Sequence, residues 1–239
     1  GPGEDAISYA RFAEMASGKD LAKVVEKARR HAPEGVPVGV KIAAGHSIER
    51  DLEIALDAGV DFVAVDGAQA GTHGSLPITE DDFGLPTLIA LCRARAFLDE
   101  ADPKRTVSLI VGGGLATPGD CLKALALGAD AVYLGSAAMY ALVVGQHVRS
   151  TPWEPPTSLI MYRGRNKERF DPDVAAERVA NLLISMTDEM ADAARAMGYT
   201  SLRQVSRKDL FAFDRTIAEF CGVSWACEAK RPALRRLGR

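Results

Sequence analysis

The 239-residue sequence predicts an α/β fold built on a parallel sheet, and three observations carry that prediction. Short runs dominated by apolar residues alternate with stretches of helical length, in the order αβαβαβαβα. The runs lack the polar alternation of a half-solvated sheet, as strands covered by helices require. Finally, Val107–Tyr140 contains two successive strand–glycine–helix units, Val107–Val111 into Gly112–Gly114 and Ala131–Leu134 into Gly135-Ser136. Such turns aim bare backbone N–H groups at one place, which suits a phosphate. Loops after the seventh and eighth strands of a (β/α)8 TIM barrel often form that site, so a barrel of this type is expected.

Taken in order, Lys19–His31 fits an amphipathic helix with Leu21, Val24, Val25 and Ala28 on one side, broken by Pro33–Pro37. Val38–Ala43 reads as a strand ending at Gly45-His46-Ser47, and Ser47 is positioned to cap the helix Ile48–Ala58. Gly59 ends that helix, Asp61–Val65 is the next strand, and Asp66–Pro77 is a long glycine-bearing loop. Pro86–Glu100 is helical, Val107–Val111 a strand, Pro118–Leu127 a helix, Ala131–Leu134 a strand and Ser136–Val144 a helix.

Four strands are visible where a closed barrel needs eight. Half a barrel leaves two open edges and a bare inner face. Residues 18–148 are therefore read as the C-terminal half of a barrel, completed by an upstream segment or by association of halves. Residues 1–17 form an N-terminal arm and 149–239 a loop with a helical C-terminal extension. That extension holds a proline-rich loop, Arg149–Pro156, and a charged one, Arg163–Arg169. Then comes a long helix, Val174–Met197, capped by Asp171 or Asp173 and ended by Gly198, and a short helix, Ser206–Phe213.

A hydrophobic content of 47% suffices for one large domain, and a net charge of -3 gives no argument for nucleic acid or an anionic membrane. The basic end (Lys230, Arg231, Arg235, Arg236, Arg239) reads as a solvated tail. No apolar run approaches the roughly 20 residues that span a bilayer. No signal peptide opens the sequence, and the dispersed Cys92, Cys121, Cys221 and Cys227 suggest reduced thiols and a cytoplasmic protein. Cys221 and Cys227 are the only near neighbours among them and make a poor metal site, and no metal is expected.

Lys41, flanked by Val40 and Ile42, points into the barrel mouth, where a ligand anion or electron-rich ring offsets the cost of burying its ammonium; the alternative is a snorkelling lysine. Asp66 closes its strand and either caps the loop or binds substrate, and Gly71-Thr72 can approach a ligand closely. His46 and His73 are loop histidines, either solvent-facing or available as acid and base. No Ser/His/Asp triad spacing emerges.

VPVGVKIAAG, VDGAQAGTHGSLP, GGGLATPGDCLKALALGADAVYLGSAAM and MGYTSLRQVSRKDLFAFD occur in the order seen in the FMN-binding glutamate synthase family. Over roughly residues 5–213 the sequence resembles the C-terminal half of the synthase barrel and the segment after it. The resemblance implies an oxidoreductase that reductively aminates 2-oxoglutarate to glutamate through 2-iminoglutarate, with nitrogen from ammonia or glutamine. It implies FMN, its phosphate held by Gly112, Gly113, Gly114, Gly135 and Ser136. Lys41 would contact the isoalloxazine or substrate as the catalytic residue, and Asp66, Gly71 and Thr72 would line the substrate side.

Departures from the family pattern accompany it. Gly145–Gly164 holds no cysteine, so no iron–sulfur cluster is expected there. Ala68, Gln69, Ala70 and His73 replace a glycine-dense loop, and Ala116 replaces a basic residue in the glycine turn. Competence is expected only with the N-terminal half-barrel or a partner subunit, and a homo-oligomer is possible. Alternatives are a degenerate half-barrel serving as a binding or assembly module, or an IMP dehydrogenase-like phosphate site. The latter enzymes carry a nucleophilic cysteine in the loop after the sixth strand, and Asp66–Pro77 has none.

Overall fold

In the computed structural model, residues 14, 15, 17–72, 75, 77–146 and 167–228 are described. Four parallel strands hydrogen-bond in chain order: β1 (Gly39–Ala43), β2 (Phe62–Asp66), β3 (Ser108–Gly112) and β4 (Ala131–Tyr133). Helix α1 (Gly18–His31) precedes β1, and α2 (Ile48–Asp57) joins β1 to β2. A short α3 (Pro77–Asp81) and then α4 (Thr87–Ala101) lead to β3, α5 (Pro118–Ala126) joins β3 to β4, and α6 (Ser136–Val143) follows. The order never reverses, as in a barrel wound in one direction rather than a doubly wound sheet. The result is a partial (β/α) barrel.

Its two faces differ sharply. Val63, Val65, Leu109 and Val111 are wholly buried against Ile48, Leu52, Leu91 and Leu98 from the helices. Strand periodicity turns the alternate residues the other way. There Lys41, Ala43, Ser108, Ala131 and Tyr133 are exposed. Among the described residues nothing pairs with the outer edges of β1 and β4.

The lower ends of the strands are tied by carboxylates. Asp61 Oδ2 accepts from the Val38 N–H at 2.6 Å, Asp130 Oδ2 from Leu109 N–H at 2.8 Å and Asp102 Oδ2 from Val107 N–H at 2.8 Å. The Val38 bond, with Arg29 beside it, holds the Asp61 carboxyl below its ordinary range. The Val107 bond and then the Thr106 hydroxyl do the same for Asp102. Arg95 is buried at this end, with Asp99 at 2.9 Å and Asp130 at 3.8 Å, though its nitrogens make no well-aligned hydrogen bond among the described residues. Gly128 makes room for it, since a Cβ there would stand 2.6 Å from Arg95 Cγ.

Several local expectations change. Ser47 does not cap α2: its φ of −105° and ψ of 39° leave the extended conformation that swings an N-cap hydroxyl onto the first turn. Helix α7 (Pro172–Ala196) starts two residues earlier than expected, because Asp171 Oδ1 accepts from both Asp173 and Val174 N–H. The helix expected over Ser206–Phe213 is a single turn, Arg207–Asp209, opened by a Ser206–Asp209 capping box and ended where Leu210 turns extended (φ −107°, ψ 151°). Tyr199 OH donates to Asp209 at 2.7 Å and fixes that turn. A strand β5 (Phe211–Ala212), helix α8 (Arg215–Cys221) and parallel strand β6 (Ser224–Trp225) follow. Of the cysteines, Cys92 and Cys221 meet in the core, whereas Cys227 is exposed. Burial and the Cys221 hydrogen bond push the Cys92 thiol up to about 12.

Candidate functional site

The upper strand ends and the turns after them enclose a cleft of about 740 Å³. Lys41, Asp66, Gly71 and Thr72 line it toward β1 and β2, Gly112, Gly113 and Gly114 after β3, and Gly135 and Ser136 after β4. All the residues singled out by the sequence for ligand contact thus share one cavity. His46 is exposed and is not among the cleft residues, and His73 lies outside the described residues.

Lys41 does not wait for a ligand to balance its charge. Its Nζ stands 2.8 Å from Asp66 Oδ2, with the lysine side chain 61% exposed and the aspartate 18%. Register explains the pairing: Lys41 lies opposite Ala64, two residues below Asp66 on the same face. The carboxylate in turn lies over Gly112, where an added Cβ would stand 2.7 Å from Asp66 Oδ1. A side chain at that position would have to displace the carboxylate.

The two glycine turns are not equivalent. After β3, Gly113 (φ +125°) and Gly114 (φ +68°) adopt backbone that favours glycine. The helix they lead into is closed by its own residues: Asp120 N–H donates to Thr117 Oγ1 at 3.1 Å and Thr117 N–H to Asp120 Oδ2 at 3.2 Å. The Thr117 hydroxyl holds the Asp120 carboxyl below its ordinary value. After β4, the N-cap of α6 is Gly135, with no side-chain cap, and a Cβ there would meet nothing within 4 Å. First-turn N–H groups have no intrahelical acceptor. One helix terminus, not two, is therefore left for an anion, beside the peptides of Gly113 and Gly114. A cradle of bare backbone, an uncapped helix start and a lysine across the cleft suit a phosphate-bearing ligand.

Other cleft residues escaped the sequence reading. Gln69 lines the cavity and its Oε1 accepts from Thr87 N–H at 2.8 Å and Thr87 Oγ1–H at 2.7 Å. Tyr133 and Tyr140 also line it. Period-two spacing from Ala131 marks Tyr133 as inward-facing, and the i+4 spacing from Ser136 marks Tyr140. No sequence signal joins Gln69 to Thr87.

A family profile described as "Conserved region in glutamate synthase" matches residues 1–200. The chain belongs to the glutamate synthase family. It is 35% identical over 207 residues to the archaeal glutamate synthase (NADPH) of Methanocaldococcus jannaschii, covering 85% of this chain and 40% of that protein. Identity to the archaeal-type glutamate synthase (NADPH) of Thermotoga maritima is 32% over 205 residues, with the same coverages of 85% and 40%. A glutamate synthase large subunit-like protein of Rhizobium meliloti is 30% identical over 244 residues, covering 93% of this chain and 55% of that protein. The chain thus spans about 40% of the length of the archaeal-type relatives. Among solved structures, a flavocytochrome b2 with benzoylformate superimposes with a TM-score of 0.51 at 22% identity, over 80% of this chain and 37% of that one. That likeness is one of fold, and it agrees with a partial (β/α) barrel.

Among the described residues no helix is long and apolar enough to cross a membrane, and no group of three or more His, Cys, Asp or Glu is placed to hold a metal ion.

Proposed function

We propose that the cleft binds FMN and that the protein is a cytoplasmic, FMN-dependent oxidoreductase of glutamate synthase type, converting 2-oxoglutarate to glutamate by reductive amination. The observation that carries this reading is the single cavity shared by the glycine turns and the Lys41–Asp66 pair, in a chain of this family. Backbone of Gly112–Gly114 and the Gly135–Ser136 start of α6 would hold the phosphate. When bound, FMN supplies hydride to the imine carbon derived from 2-oxoglutarate and ammonia or a glutamine-derived nitrogen.

The chain's own residues bind and orient. Lys41, oriented by Asp66, presents an ammonium to a substrate carboxylate or to the electron-rich ring system. Gly71 brings backbone to the substrate side, and it is bare of necessity, since a Cβ there would stand 2.4 Å from Glu80 O. Thr72 places a hydroxyl beside it. The bare inner face formed by Ala43, Ser108 and Tyr133 is covered by an N-terminal half-barrel, upstream or in a partner subunit, which also excludes water from the site. Residues 18–148 form the FMN half-barrel and 149–239 its extension. Gly145–Gly164 supplies no cysteine ligand, so electrons arrive without a cluster bound there.

The test is the absorbance spectrum of purified full-length protein. Flavin bands without an iron–sulfur shoulder are expected. Colourless protein that takes up no added FMN overturns the reading and leaves a half-barrel kept for binding or assembly.

A further inference from the structure

We infer that Gln69 and Thr87 are positioning residues that set the phosphate-binding shape of the Gly113–Gly114 turn, and so the preference of the site for a phosphorylated flavin. This inference rests on the FMN reading above. Helix α4 begins at Thr87 after Pro86, a residue with no side-chain cap to offer. Gln69, 18 residues upstream, supplies the missing acceptor to both the Thr87 N–H and its hydroxyl. A backbone N–H can only donate, so the amide oxygen must be the atom that faces it.

The same pair is the surface against which the glycine turn is folded. Thr87 is 8% exposed, and a Cβ on Gly113 would stand 2.4 Å from its Oγ1. On Gly114 a Cβ would stand 3.0 Å from Gln69 Cβ, and on Gly67 one would stand 2.3 Å from Thr87 Cα. Three segments that are separate in sequence therefore meet at this pair: the loop after β2, the start of α4 and the turn after β3. Releasing Gln69 frees the Thr87 hydroxyl to rotate and thins the wall behind Gly114, since Cγ, 3.4 Å from a Cβ placed there, goes while Cβ stays. The peptides of the turn then lose their fixed direction, which is what an anion cradle depends on. The isoalloxazine ring gains nothing from that direction, so the effect falls on the phosphate alone.

The experiment measures FMN and riboflavin affinities side by side, by flavin fluorescence, in the full-length protein and its variants. Wild type is expected to prefer FMN. Gln69→Ala is expected to weaken FMN roughly tenfold, about the worth of one oriented hydrogen bond, while leaving riboflavin unchanged. Thr87→Val, which loses only the hydroxyl, is expected to weaken FMN about threefold, and Thr87→Ser to restore it. A FMN preference that survives Gln69→Ala overturns the inference alone. Equal weakening of both flavins marks the pair as general support of the fold and also overturns it. Wild-type protein that binds the two flavins equally overturns the cleft reading together with the inference.

Discussion

The two ends of the sheet are finished in opposite ways. At the lower end, strand N–H groups find carboxylates within the chain: Val38 on Asp61, Val107 on Asp102 and Leu109 on Asp130. At the upper end, glycines replace side chains, α6 starts without a side-chain cap, and the Lys41–Asp66 pair stands at the cavity with its lysine mostly exposed. In a (β/α) barrel the lower face carries stability and the upper face ligand contact. Here that division is written in the strand and helix ends: carboxylates take up N–H groups below, and above the Gly135 start of α6 has no side-chain cap. It teaches that substitutions at the two ends should separate stability from binding.

The largest effect is expected at Gly113, where binding and folding both suffer. Alanine there meets Thr87 Oγ1 at 2.4 Å and must hold a φ of +125°. FMN binding should weaken about 100-fold, with a stability loss of about 1–3 kcal/mol, read by flavin titration and urea denaturation. At the other end, Asp61→Ala leaves the Val38 N–H without its acceptor and Arg29 without its carboxylate. A loss of about 1–3 kcal/mol is expected in urea, with flavin affinity unchanged. An equal fall in FMN affinity would erase the division between the ends.

Lys41→Met should do the converse: turnover lower by about tenfold, and stability altered by less than about 1 kcal/mol, because the lysine it replaces is mostly exposed. Steady-state kinetics and a thermal melt decide it. The smallest effect is the pH dependence of the lower end. The folded Asp61 and Asp102 carboxyls lie below their ordinary, unfolded-state range. Their contribution is therefore complete above an unfolded value of about 4, and is lost as pH falls through the folded values. Melting temperature should drop on acidification below pH ~4, and drop less in Asp61→Asn. Acid melts of equal steepness in both proteins would remove Asp61 from the account.

The sequence announced the α/β class, the strands 38–43, 61–65, 107–111 and 131–134 and the helices 48–58, 86–100 and 118–127, because apolar periodicity and glycine punctuation are local signals; it did not announce the short α3. The observed β1–β4 fall within those runs, save that β2 and β3 each reach one residue further, to Asp66 and Gly112. The cleft residues it singled out sit within such a strand or at its end, except Gly71 and Thr72, which lie further along the loop after β2. Ser47 misled because a capping residue type says nothing of the φ and ψ that aim its hydroxyl. The short helix over 206–213 failed because Tyr199 and the Ser206–Asp209 box hold a single turn, and one turn of helix has little stability of its own.

What the sequence alone determined, then, is which segments are strands and helices of a parallel sheet and which turns carry bare glycine. The tertiary structure decided what those turns face. Parallel register put Lys41 within reach of Asp66, and the return of α4 put Thr87 under Gly113, with Gln69 beside it. The capping box of α5 closed one of two similar helix starts and left the other open. Each outcome joins residues from separate βα units, and packing between units is set by the sheet as a whole rather than by any one stretch of chain.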